Sequence, residues 1–139
     1  MTEAQSYRQL CVDNDFWAIE EFENGSELKE FILEEGRALD SFQNILFSML
    51  LFWKMFRSWP RGIAIISHTF KRPRFMELHV PALRWPRERV EYFGIDPPYL
   101  DSGNVVYDVE RAEAVTKGEL ERGYDVWKED ALGLSLIHI

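Results

Sequence analysis

The chain has 139 residues, enough for one domain with a real core, and its 46% hydrophobic content excludes a disordered polypeptide. A single cysteine, Cys11, excludes an internal disulfide and suggests a reducing, cytoplasmic setting. Net charge is −8, which speaks against a nucleic-acid backbone as partner.

That charge is unevenly spread. Residues 13–40 carry ten acids and two bases, and residues 90–139 carry eleven acids and four bases. Residues 54–89 reverse the balance, with nine bases and two acids. A basic middle between acidic flanks suits a small anionic partner better than a long polyanion. A solvated basic face would leave the same pattern.

Taken in chain order, Thr2 to Val12 reads as a helix with Thr2 as its N-cap, ended by Asn14 to Trp17. The first twenty residues show no apolar core behind a basic start, so no secretory signal is read there. Acidic residues and Asn24-Gly25 follow as a loop. From Ser26 to Phe56 propensity favours one long helix. Gly36 and the Asp40-Ser41 pair argue for a break, with Asp40 or Ser41 capping a second helix. The apolar run Ile45 to Phe56 falls short of the roughly 18–20 residues that a spanning helix needs.

Ser58 to Gly62 reads as a turn. Ile63 to Ser67 is a continuous apolar run, as in an interior parallel strand. A helix is predicted from about Pro73 to Leu83, bent near Pro81. Val90 to Gly94 reads as a second strand, and Ile95-Asp96-Pro97-Pro98 as the loop beyond it. Val106 to Glu129 is helical in pattern, broken near Lys117-Gly118. Alternating strands and helices predict an α/β sandwich with a mostly parallel sheet, whose ligands lie beyond the carboxyl ends of the strands.

Ser67, His68, Lys71, Arg72 and Arg74 stand where the first of these strands feeds a helix. A helix start with several bases is suited to phosphate or carboxylate, and Ser67 adds a hydroxyl donor. The bland alternative is a structural histidine with arginines paired to surface acids. Glu77 and His79 point apart on one helix and, with His68, offer no metal-ligand spacing, so no metal is expected. No nucleophile elbow is present for Ser-His-Asp hydrolysis. Asp96 before two prolines reads as a turn that fixes its loop.

The segments Thr2-Glu-Ala-Gln-Ser-Tyr7, Leu33-Glu-Glu35, Asp40-Ser-Phe-Gln-Asn44 and Ser67 through Phe75 occur in the order and spacing of one family. The chain resembles the YdcF/SanA/ElyC-like proteins, a domain of unknown function. It is most similar to their fungal branch through Phe75 to His79, Ala82 to Pro86 and Gly94 to Pro98. The resemblance implies a Rossmann-like three-layer sandwich over residues 1–133, with the first strand and Gly-rich loop absent. It also decides for the broken reading of Ser26 to Phe56, with a short strand at Phe31 to Glu34 and a helix from Ser41 to about Arg57. Glu35, Ser41 and Asn44 then form a ligand wall opposite Ser67, His68, Lys71, Arg72 and Arg74. Ala38 and Gln43 replace the family's serine and glutamate, which weakens a carboxylate-pair role. S-adenosylmethionine or a nucleotide are the ligands so implied. Alternatives are an enzyme acting on a phosphorylated metabolite, with His68 as acid or base, and a non-catalytic interaction module. Leu134 to Ile139 matches the translation of a sequencing adapter, so residues 134–139 are expected to be non-native. The chain is expected to be truncated at both ends.

Overall fold

The computed structural model describes residues 1–135, in two compact units, residues 1–55 and residues 56 onward. The last four residues of the adapter-like segment lie outside the described residues.

The first unit is helical. Helix α1 (Glu3–Asp13) begins on the predicted cap: the Gln5 amide donates to Thr2 Oγ1 at 3.2 Å, and the Thr2 amide donates to Gln5 Oε1 at 2.9 Å. This reciprocal pair satisfies two amides that a helix start leaves open. A left-handed turn at Asp15–Ala18 separates α1 from helix α2 (Gly25–Glu30). Helix α3 (Ser41–Phe56) starts on Asp40, whose Oδ1 accepts the Gln43 amide at 2.7 Å. Gln43 in turn accepts the Leu39 amide at 3.0 Å. Asp40 is therefore the cap that local pattern left open between it and Ser41.

Phe31 to Glu34 is not a strand. The segment is bonded sideways to α1 instead: Arg8 Nη1 donates to the Ile32 carbonyl at 3.1 Å, and Arg8 Nε lies 3.1 Å from Glu34 Oε1. A strand needs a neighbour for its backbone groups; here the Phe31 and Ile32 amides donate back to the Leu28 and Lys29 carbonyls, and Arg8 takes the Ile32 carbonyl.

The second unit holds the sheet. Strands β1 (Ile63–Ser67) and β2 (Val90–Gly94) pair in parallel, Ile63 opposite Val90 and Ser67 opposite Gly94. Both strands fall where their apolar runs predict. Between them the chain makes a single turn at Thr69–Lys71, a π-helical stretch at Arg74–His79 and helix α4 (Val80–Ala82). Pro81 has no N–H to close an α turn on Glu77, and the stretch before it widens to π. Met76, Val80 and Val90 form the buried core, with Ile65, Trp85 and Tyr92 packed against it.

Helix α5 (Val109–Glu119) is capped by Asp108, whose Oδ1 accepts the Arg111 amide at 3.0 Å. A second π stretch at Leu120–Tyr124 leads into helix α6 (Asp125–Glu129). The predicted break near Gly118 thus appears as a widened turn rather than an interruption. Trp127 on α6 is buried edge-on to His79, ring centroids 4.6 Å apart.

The expected Rossmann-like three-layer sandwich is not the fold. Among the described residues one sheet of two short parallel strands is present, and helices dominate. The alternation that suggested a layered sheet holds only over Ile63 to Gly94; the remaining apolar patterns fold as helices.

Candidate functional site

Two neighbouring parallel strands end side by side at Ser67 and Gly94, and the residues just beyond are His68 and Asp96. His68 sits in extended backbone geometry before the Thr69–Lys71 turn. Its Nδ1 lies 3.1 Å from the Ile95 carbonyl oxygen and 3.8 Å from Asp96 Oδ1. The imidazole stacks on Phe70 with centroids 5.2 Å apart and planes 12° from parallel. Its own carbonyl accepts the Tyr92 hydroxyl at 2.5 Å, and burial pushes the Tyr92 phenol up. Even so, the His68 side chain keeps 44% of its surface exposed.

Asp96 has a second task. Its Oδ1 accepts the Thr69 amide at 2.9 Å, so the first amide of the turn is already bonded to a carboxylate. Gly94, at the end of β2, is also packed tightly against that turn. A Cβ on Gly94 would come 2.4 Å from Thr69 Oγ1 and 2.9 Å from Thr69 Cα. Only glycine leaves Thr69 that room.

The predicted basic cluster divides. Arg74 Nε lies 3.0 Å from Glu119 Oε1, with both side chains nearly buried, so this arginine is neutralised inside the fold. Burial raises the Glu119 carboxyl, while Arg74 and Lys71 pull it back down. Lys71 is half-buried, its Nζ 6.0 Å from the Phe70 ring centroid. Arg72 is exposed beside it, and Ser67, at the end of β1, is half-buried.

Glu35, Ser41 and Asn44 fall in the first unit, apart in the chain from the His68 corner. The Glu35 carboxylate folds back on its own loop, accepting the Arg37 amide at 2.8 Å and the Ala38 amide at 3.0 Å. Ser41 opens α3 half-buried. Asn44 is exposed on that helix, where water can satisfy its amide.

Glu119 and Tyr92 were not among the expected site residues. Nothing local marks Glu119, an acid among many on α5; Tyr92 reads only as an inward strand residue. Asp96 was legible as an acid at a strand end, though its bond to Thr69 was not. Among the described residues no cluster of three or more metal-type ligands occurs, and no helix is long and apolar enough to cross a membrane.

Comparison with known proteins is sparse. No protein-family model matches the chain, and no solved structure matches it. A stretch of 66 residues is 39% identical to the uncharacterized protein YOR238W of Saccharomyces cerevisiae. It covers 48% of this chain and 22% of that protein, so the match spans under a quarter of the relative's length.

Proposed function

We propose that the chain binds a small anionic or nucleotide-like molecule at the corner where β1 and β2 end. The observation that carries this reading is His68: a half-exposed imidazole, locked by Ile95, Asp96 and Phe70, beyond the carboxyl ends of two adjacent parallel strands. That is where open parallel sheets place ligands. Lys71 and Arg72 supply positive charge beside it, and Ser67 a hydroxyl. Arg74 belongs to the framework through Glu119 and is removed from the expected contact set.

Kinship with the fungal branch of the YdcF/SanA/ElyC-like proteins is part of the same proposal, and a yeast relative accords with a fungal setting. It makes S-adenosylmethionine and nucleotides the first molecules to try. In thermal denaturation of the whole chain, inorganic phosphate, ATP or S-adenosylmethionine should raise the Tm. Binding at a hundred times Kd is worth about 2.7 kcal/mol. Replacing Lys71 and Arg72 together with glutamine should remove the shift. No shift with any of the three would overturn the reading.

A second reading, an enzyme acting on a phosphorylated metabolite with His68 as acid or base, is favoured by the way the ring is held. Nδ1 is anchored while the side chain stays open to solvent, as proton transfer requires. His68→Gln should then abolish turnover while the thermal shift survives.

A further inference from the structure

The His68 corner defines what kind of anion it takes. The Ile95 carbonyl oxygen can only accept a hydrogen bond, so Nδ1, 3.1 Å away, must be the donor. The Asp96 carboxylate, 3.8 Å from the same nitrogen, favours a proton there as well. The stacked Phe70 ring fixes the plane in which both contacts are made. When neutral, the imidazole has one proton, and these contacts hold it on Nδ1. Nε2 is left as a lone pair, and a lone pair repels an oxygen that has no hydrogen.

We propose that Asp96 is a positioning residue that holds His68 in the Nδ1–H form, and that the corner therefore selects an anion carrying its own hydroxyl. The ligand half of this proposal rests on the anion reading above; the positioning half does not. Asp96 is suited to the role because its Oδ1 is already fixed by the Thr69 amide at 2.9 Å, and Thr69 is the residue after His68. One carboxylate thus fixes the backbone that carries the imidazole and, 3.8 Å from Nδ1, adds its charge to the pull of the Ile95 carbonyl on the ring proton. Such second contacts to a histidine decide which nitrogen faces outward.

Two tetrahedral dianions separate the outcomes. At about pH 8 an ordinary imidazole is neutral. Inorganic phosphate then keeps one P–OH, whereas sulfate has none. Nitrogen-15 NMR of the whole chain, with the His68 signals assigned by His68→Gln, reads the tautomer directly. The Nδ1–H form is expected to dominate, and phosphate to bind about tenfold or more tightly than sulfate. Asp96→Asn keeps an oxygen for the Thr69 amide but removes the charge. It should raise the Nε2–H share and narrow the preference for phosphate, while the Ile95 carbonyl keeps part of both.

A dominant Nε2–H form in the unaltered protein, or a tautomer ratio unmoved by Asp96→Asn, would overturn the positioning role. Sulfate binding as well as phosphate would overturn the hydroxyl requirement while leaving anion binding intact. If neither anion binds but the Nδ1–H form dominates and responds to Asp96→Asn, the anion reading fails and the positioning role is upheld.

Discussion

His79 is fully buried, and its ring meets Phe75 and Trp127 edge-on. Burial, with the nearby Arg74 charge adding to it, pushes the imidazole down from 6.5 to about 3. The unfolded chain therefore binds a proton at higher pH than the folded one. The stability tied to the neutral ring is complete above about pH 6.5 and falls as pH drops toward 3. The change is on the order of a few kcal/mol across that window. Urea unfolding measured from pH 7 to 4 should show it, and His79→Gln should flatten the upper part of the curve. A curve of unchanged slope in that variant would refute the assignment. A histidine among apolar residues is visible in the sequence; that it is buried neutral is not, because Trp127 arrives from a distant helix.

At the scale of elements, the Arg74–Glu119 pair joins the start of one π stretch to the residue just before the other. Gly123 belongs to this joint, since a Cβ there would stand 2.7 Å from Glu119 Oε1. Removing one member of a buried pair strands the other charge and typically costs about 3–5 kcal/mol. Arg74→Met or Glu119→Leu alone should lose stability on that scale in chemical denaturation. The double variant should recover most of it, because two apolar side chains can replace a buried pair. Additive losses would mean the two are not coupled. Local pattern placed Arg74 correctly at a helix start after β1 and read its charge as outward-facing. The acid that turns it inward comes from α5, and no spacing rule links the two.

The whole molecule carries an exposed apolar sheet face. Ile66 is 68% exposed, Phe93 49% and Ile95 63%. Inward residues Ile65, Val90 and Tyr92 meet the core, so the alternation along β1 and β2 leaves Ile66 and Phe93 outside, and Ile95 follows directly after β2. Parallel strands are normally covered on both faces, and bare apolar patches promote association. Ile66→Thr with Phe93→Thr should reduce self-association in sedimentation velocity while leaving the Tm nearly unchanged, since surface changes usually stay within about 0.5 kcal/mol. A large fall in Tm would show that the face is covered in solution.

Much of the chain's local structure was legible because its causes are local. The cap at Thr2 and the apolar runs at Ile63 and Val90 carry their signals within a few residues. Those signals determined α1, β1 and β2, and they located His68 at a strand end; the start of α3 at Ser41 was read from the family resemblance, against a propensity for one helix from Ser26. The tertiary structure decided the rest. It left the sheet at two strands among the described residues, and it tied Phe31–Glu34 to Arg8 through the Ile32 carbonyl and the Glu34 carboxylate. It withdrew Arg74 from the basic cluster by burying it against Glu119, and it brought Asp96 and Ile95 to the His68 ring. The reason is physical: a cap or strand run is a short-range preference, whereas which charge is neutralised and which nitrogen is protonated depends on groups that only folding brings within reach.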